Sequence, residues 1–507
     1  MAKMILALSL ALALSTGATA RAQEPVTLVP YTSESFGIET LIPESWVDVG
    51  DGITARQSSD TDTTLIAQQS APLPTEDLLA AVLPQLGLEE SPRSVGTHRG
   101  GTFEWTLYEV TVPVGAERIA VEMALADGDG ISYLVLVQTS PDEAAAMHDT
   151  IFLPILDAFA PLPEDDQPVP YDVEEVTFDN GDVTLAGTLT LPPTAGPHPV
   201  VVLVSGSGPQ NRDESLGGGI AIKPFRLLAD AQTRAGVAVL RYDDRGTGKS
   251  TGTFSEATVP DFATDAEAAI RYVGTREEID PDRIGLLGHS EGGVVAAMLG
   301  ARNDELDFII ALAGPGVIGS EVLKLQYERI AEAEGATPDH VAGQRAFVQK
   351  LLTVIDDPAA VEALVYETTV EQVRALPEEE QAALGDVDEY ARFIAKQTAQ
   401  QLNSDWFRSF LTYDPAPDWA QTTVPVLAIF GGKDVQVDAE QNAPALEAAL
   451  ERGGNTQVEI VVIPEANHLF QAADTGAFSE YSTLPAEFTP ELVPTIVDWL
   501  EQEGILD

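Results

Sequence analysis

Apolar and polar positions alternate in short runs between residues 24 and 160. Phe36–Pro43 alternates as an edge strand does, and Thr102–Val112 and Ile119–Leu125 repeat the pattern. Ile131–Val137 is more continuously apolar and reads as a more buried strand. Helical spacing occurs at Glu76–Leu83 and Glu143–Ala160. Strands with few helices predict an α+β layer built on an antiparallel sheet. Its two histidines, His98 and His148, read as isolated surface residues.

Residues 161–170, rich in proline and acid, break the pattern and read as a linker. From 171 onward the pattern changes. A hairpin, 173–178 and 183–191, turns at Asp179-Asn180-Gly181-Asp182. Apolar strands then alternate with helical stretches: Val200–Val204, helix 225–235, Val237–Tyr242, helix 262–273, Ile284–Leu287, Phe308–Ala313, Val424–Phe430, Val458–Ile463 and helix 493–500. This order predicts a mostly parallel α/β sheet with covering helices. One connection is too long. Between Ala313 and Val424 lies an insert rich in Ala, Glu, Gln and Leu, with helical patterns at 321–334, 340–354, 361–373 and 387–402. It predicts a helical cap, about 316–420, over the carboxyl edge of the sheet, where such folds bind ligands.

Gly288-His289-Ser290-Glu291-Gly292 joins an apolar strand to the apolar helix that starts at Gly293. A serine on so tight a strand-to-helix turn is lifted above the sheet, and the flanking glycines let the two backbones pass beneath it. Ser290 is therefore the candidate nucleophile; the alternative is an ordinary glycine-rich turn. A base follows by elimination among six histidines. His98 and His148 lie in the other unit, His198 at the wrong end of a strand, and His340 in the insert. His289 is expected to point away from the partners of Ser290. His468 remains, directly after the last strand. Asp434, in the turn after Val424–Phe430, is the candidate acid by the Ser-acid-His chain order of such sheets. Asp438 and Glu465 are its competitors. The backbone N–H groups of Glu291 and Ser207, the latter in Ser205–Pro209, are candidate oxyanion donors. The other reading of that loop is a plain strand-ending turn.

Composition narrows the class. Asp and Glu number 81 against 27 Lys and Arg, a net charge of −54. Phosphate binding needs clustered cations, so nucleic acid and anionic membranes are excluded as expected partners. A solvated acidic surface and adaptation to high salt both fit this charge. Lys3, the apolar run Met4–Leu14 and Ala20-Arg21-Ala22 predict an export signal over residues 1–22, and hence a periplasmic or secreted protein. There is no cysteine, so the core alone must hold the exported chain. Gly246-Thr247-Gly248-Lys249-Ser250 misses the phosphate-loop pattern, because Asp243 stands where its first glycine belongs. Gly206 and Gly208 lack the third glycine of a dinucleotide fingerprint, and no HExxH or CxxC is present. No cofactor or metal is expected.

Five blocks are shared with a known family: Ser205–Glu214, Leu240–Gly252, Gly288–Gly293, Gly432–Val437 and Asn467–Gln471. Ala313–Gly316 and Trp406–Arg408 echo it further. Through them residues 171–507 resemble the alpha/beta-hydrolase family of bacterial carboxylesterases of EstD type. The resemblance implies a serine esterase with Ser290, Asp434 and His468 as triad. Asn211, where Asp is usual in that family, is expected to alter a loop contact only. The alternatives are a serine peptidase of aminopeptidase type, an acyl thioesterase, and a non-catalytic envelope-binding protein. Asp244 and Arg245 are expected to form a buried ion pair with each other. Trp406, Phe407, Phe410 and Leu411 either line an acyl pocket or pack the cap.

Overall fold

The computed structural model describes residues 26–506, apart from 34–35, 51, 58–61, 63, 72–73, 87, 89–90, 115–116, 129–130, 163–168, 217–219, 377–380 and 382–386. The expected export signal, and the middle of the expected linker, lie outside the described residues. The chain divides into two compact units. One comprises residues 1–166, 217–221 and 365–396; the other comprises 167–216, 222–364 and 397–507.

The first unit holds strands β1 (Leu28–Ser33), β2 (Ile38–Pro43), β3 (Val47–Gly50), β4 (Ile53–Ala55), β5 (Leu65–Ala71), β6 (Gly96–Gly100), β7 (Phe103–Val114), β8 (Glu117–Gly128), β9 (Ile131–Thr139) and β10 (Ala160–Pro161). Seven of them form an antiparallel sheet in the order β3-β4-β5-β9-β8-β7-β6. Period-2 alternation is visible on β9. Leu134 and Leu136 join one core, with Leu78 and Val82 of helix α1 (Thr75–Val82). Tyr133, Val135 and Val137 join another, with Ile151, Ile155 and Phe159. That second layer is a helical segment made of α2 (Ala144–Met147), a π turn (His148–Phe152) and α3 (Leu153–Ala158). Both faces of the sheet are thus covered, which is why β9 carries so few polar residues.

Two expectations need correction here. Strand β2 is central, not an edge, because β1 pairs with one side of it and β10 with the other. His98 and His148 are not isolated: His98 lies 2.8 Å from Asp157 and His148 lies 3.1 Å from Glu122.

The second unit carries an eight-stranded sheet: β11 (Asp172–Asn180), β12 (Val183–Leu191), β13 (His198–Val204), β14 (Ala238–Tyr242), β15 (Ile279–His289), β16 (Phe308–Leu312), β17 (Val426–Gly431) and β18 (Val458–Ile463). Its order is β11-β12-β14-β13-β15-β16-β17-β18. The β11–β12 and β12–β14 pairs are antiparallel, and every later pair is parallel. β13, β16 and β17 are buried along their whole length, as strands covered on both faces must be. The covering helices are α4 (Pro224–Ala235), α5 (Val259–Gly274) and α6 (Glu291–Gly300). Thr258 and Asp261 form a capping box at the start of α5, and Gly236 ends α4 with φ of 109°.

Between β16 and β17 the insert is helical, as its spacing predicts: α7 (Gly319–Ala333), α8 (Pro338–Val354), α9 (Pro358–Ala375), α10 (Val387–Leu402), α11 (Asp405–Thr412) and α12 (Ala416–Trp419). Residues 365–396 of this insert fall in the first unit. Helices α13 (Ala439–Gly453), α14 (Phe478–Tyr481) and α15 (Leu492–Gln502) complete the second. Among the described residues no helix is long and apolar enough to cross a membrane.

Trp105 is fully buried, edge-on to Phe159 at 5.1 Å and to Phe103 at 5.5 Å. Truncating it leaves a large cavity in a small layer. Trp105→Ala is expected to cost about 3–5 kcal/mol, read as a lower urea midpoint of the first unit's unfolding transition.

Candidate active site

The four loops that carry the candidate residues leave the carboxyl ends of β13, β15, β17 and β18. Parallel register brings the first two together, pairing Val204 with Gly288. Ser290 then turns the chain with φ of 54° and ψ of −115°, a conformation costly for any residue with a Cβ. Two glycines make the turn possible. A Cβ on Gly288 would lie 2.1 Å from the carbonyl oxygen of Gly292, and one on Gly292 would lie 2.1 Å from that of Val204. The Ser290 N–H donates to the Leu312 carbonyl at 2.8 Å, and the Gly293 N–H donates to the Ser290 carbonyl at 2.9 Å. The serine is half-buried at the start of α6.

Gly431, the last residue of β17, and Gly432 after it press against the backbone around Pro464–Asn467, so the Asp434 turn and the His468 loop lie side by side. Asp434 Oδ1 accepts the N–H groups of Gln436 at 2.7 Å and Val437 at 2.9 Å. Asp434 Oδ2 lies 2.7 Å from His468 Nδ1, and both residues are buried. That bond leaves Nε2 as the free ring nitrogen. The His468 loop is fixed by Asn467, whose Oδ1 accepts from the Leu469 and Gln471 N–H groups at 2.9 Å each. The structure thus joins Asp434 to His468 directly. Among the described residues no hydrogen bond links Ser290 to His468; such bonds are often long before substrate binds. The two competing acids are engaged elsewhere. Asp438 caps α13 and pairs with Arg329 at 2.9 Å, and Glu465 is exposed.

His289 does not point away from this group. Its Nε2 donates to the His468 carbonyl at 2.9 Å, its ring centroid lies 4.8 Å from that of His468, and its Nδ1 lies 2.8 Å from Glu214 Oε1. As the last residue of β15, it has its side chain turned toward the adjoining loops instead of the solvent. Burial alone would depress its basicity, but the Glu214 carboxylate overrides this and raises the pKa of His289. The expected Asp244–Arg245 pair does not form either. Adjacent side chains leaving a strand diverge, and Arg245 instead forms a two-point pair with Asp265 of α5 at 2.7 and 2.8 Å. Asp244 accepts from Ser205 Oγ at 2.8 Å and the Gln210 N–H at 2.9 Å.

The Ser205–Pro209 loop is more than a plain turn. Ser207 Oγ donates to Glu291 Oε2 at 2.7 Å, and the Gly206 N–H donates to Glu214 Oε1 at 2.8 Å. Glu291 also accepts from Trp406 Nε1, at 2.9 and 3.0 Å, which ties α11 of the insert to the elbow. Phe407 and Leu411 are buried, and Phe410 packs on the main core. Asn211 Oδ1 accepts the Asp213 and Ser215 N–H groups at 3.2 and 3.1 Å, a local loop contact. Glu214 was not singled out by the sequence. Its signal is visible only in the fold, where it is a buried acid with φ of 56°.

A parallel sheet of this order, with a strained serine elbow after β15 and an Asp–His pair after β17 and β18, defines an alpha/beta-hydrolase architecture. The chain belongs to the alpha/beta hydrolase family, whose model matches residues 201–480. It is 27% identical over 292 residues to esterase EstD of Thermotoga maritima, a match covering 56% of this chain and 58% of that protein. The chain thus spans under two thirds of that relative's length. Among solved structures, the esterase Pf2001 of Pyrococcus furiosus overlays with a TM-score of 0.40 at 16% identity, covering 67% of this chain and 94% of that one. Est1E from Butyrivibrio proteoclasticus, bound to ferulic acid, overlays with a TM-score of 0.36 at 16% identity, covering 65% and 98%.

His289 yields a pH prediction. A histidine whose folded pKa is raised above 6.5 adds stability that is fully present below 6.5 and is lost as pH rises through the raised value. His289→Gln is expected to flatten that alkaline decline in a series of urea midpoints taken across neutral pH.

Proposed function

We propose that this protein is a serine carboxylesterase that works through an acyl-enzyme intermediate. The observation that carries the reading is the 2.7 Å Asp434–His468 pair at the sheet edge that also bears the Ser290 elbow. In this reading His468 Nε2 takes the Ser290 proton as the oxygen attacks an ester carbonyl. Asp434 holds the imidazole tautomer and stabilises the cation that forms. The backbone N–H groups of Glu291 and Ser207 receive the developing oxyanion, helped by the N-terminus of α6. His468 then protonates the leaving alcohol, and water activated by the same ring releases the acid.

The substrate class is a small-molecule ester of short to medium acyl chain, and no cofactor enters any step. The likeness to esterase EstD, over the length stated above, supports the ester assignment. The same reading takes residues 1–22 as a removed export signal and the working protein as periplasmic or secreted.

The test is hydrolysis of p-nitrophenyl esters from acetate to long acyl chains. The mature protein is expected to cleave the short and medium members. Ser290→Ala is expected to lose on the order of 10⁴-fold or more in kcat, and Asp434→Asn a comparable factor of about 10⁴ with KM little changed. A protein that cleaves no ester at either low or high salt, or a Ser290→Ala variant as active as the parent, would sink the proposal.

A further inference from the structure

Three consecutive residues of the loop after β13 are each tied to a different buried carboxyl group. Ser205 Oγ donates to Asp244, the Gly206 N–H to Glu214, and Ser207 Oγ to Glu291. Only Glu291 belongs to the elbow itself, and only Glu291 also reaches the insert, through Trp406. Glu291 also lines a narrow cavity of about 10 Å³, space for one water, with Val204, Tyr242, Phe254, Phe262 and Val295.

The charges around this carboxyl are all engaged or of the same sign. Asp244 and Asp265 line the same cavity. Arg245 is taken by Asp265, and His289 by Glu214. On α11, Asp405 is exposed and Arg408 donates to the Ile355 carbonyl and to Asn403. The rest of α6 is uncharged. Among the described residues no Arg or Lys bonds to Glu291. Burial therefore pushes its pKa up to about 7, against the lowering effect of the Ser207 and Trp406 bonds. Burial likewise raises Asp244 well above the carboxylate range.

Both bonds survive protonation. A neutral carboxyl group can donate its O–H to Ser207 Oγ while its other oxygen accepts from Trp406. The two states thus differ in charge and not in connectivity. The charge matters because Glu291 and Ser207 supply the two backbone donors assigned to the oxyanion.

We propose that Glu291 is a positioning residue of the oxyanion loop that works in its neutral form: it fixes Ser207 and Trp406 without a charge, and its ionisation sets a negative charge beside the forming oxyanion and slows acylation. The inference rests on the serine-esterase reading. A like charge a few ångströms from the oxyanion is expected to slow acylation by roughly tenfold to a hundredfold, given a damped effective dielectric.

The experiment is kcat/KM for p-nitrophenyl butyrate across a pH range centred on neutrality, for the parent and Glu291→Gln. The parent is expected to fall through an alkaline limb near the pKa of Glu291. Glu291→Gln preserves a donor for Ser207 and an acceptor for Trp406, so its profile is expected to reach a plateau and to exceed the parent roughly tenfold on the alkaline side. A variant that keeps the alkaline limb, or loses the same factor at every pH, overturns the inference.

A second readout is independent of turnover. In the Ser290→Ala protein, fluorescence minus that of Ser290→Ala/Trp406→Phe is expected to titrate near neutrality. A flat difference overturns the inference even where Glu291→Gln does not fold. A parent that cleaves no ester while the Trp406 fluorescence still changes near neutrality sinks the esterase reading and leaves Glu291 as the titrating group. Hydrolysis without an alkaline limb sinks the inference alone.

Discussion

The close approach of α6 to the sheet governs the whole second unit. Ser290 can hold a positive φ only if the helix begins at once beneath it, and that requires Gly292 to lie against the Val204 carbonyl with no side chain between. The strain at one residue is carried by backbone contacts on either side, not by the serine itself. Once this contact is made, much else is fixed. The loop after β13 must pass beside the elbow because Val204 is in register with Gly288. Ser207 and Glu291 therefore meet, and Trp406 has a buried acceptor to dock on.

The same contact explains why so many acids gather beneath one loop. A tight loop exposes N–H and O–H donors on its inner side, and buried donors need acceptors. Asp244, Glu214 and Glu291 supply them. Carboxyl groups serve well here because they can accept as anions and both accept and donate when neutral. The cost is electrostatic, and it is met in two ways: at Glu214 by pairing with His289, and at Glu291 and Asp244 by a raised pKa. Among the described residues, these three belong to the few buried acids of a chain that carries a net charge of −54.

Local pattern made much of this legible. The elbow could be read because glycine spacing and a strand-to-helix change are local signals, and the strands of the parallel sheet because burial on both faces leaves apolar runs. His468 and Asp434 could be read because chain order and sheet edge together limit the choices. What could not be read depends on side-chain direction or on partners distant in sequence. The direction of His289 is set by Glu214 and the His468 carbonyl, far away along the chain. The partner of Arg245 is a residue on α5, not its neighbour, because consecutive side chains diverge. The centrality of β2 rests on the two-residue strand β10, too short to leave any alternation. The role of Glu291 is hidden because a glutamate at the start of a helix normally faces water.

The insert between β16 and β17 can be viewed as a polymer loop. Its two ends are zipped into one parallel ladder, with Ile309 opposite Val426 and Leu312 opposite Ile429. The entropy lost in closing such a loop grows only with the logarithm of its length, about 0.6 kcal/mol per doubling. The sheet therefore hardly feels how many residues are threaded through that junction, provided the ladder on both sides is strong. This makes the junction a thermodynamically permissive port: helices can be lengthened, exchanged or trimmed there while the barrel-less, open sheet remains intact. The folding rate is the quantity that pays, because β16 and β17 can pair only after a long excursion of the chain has been gathered in.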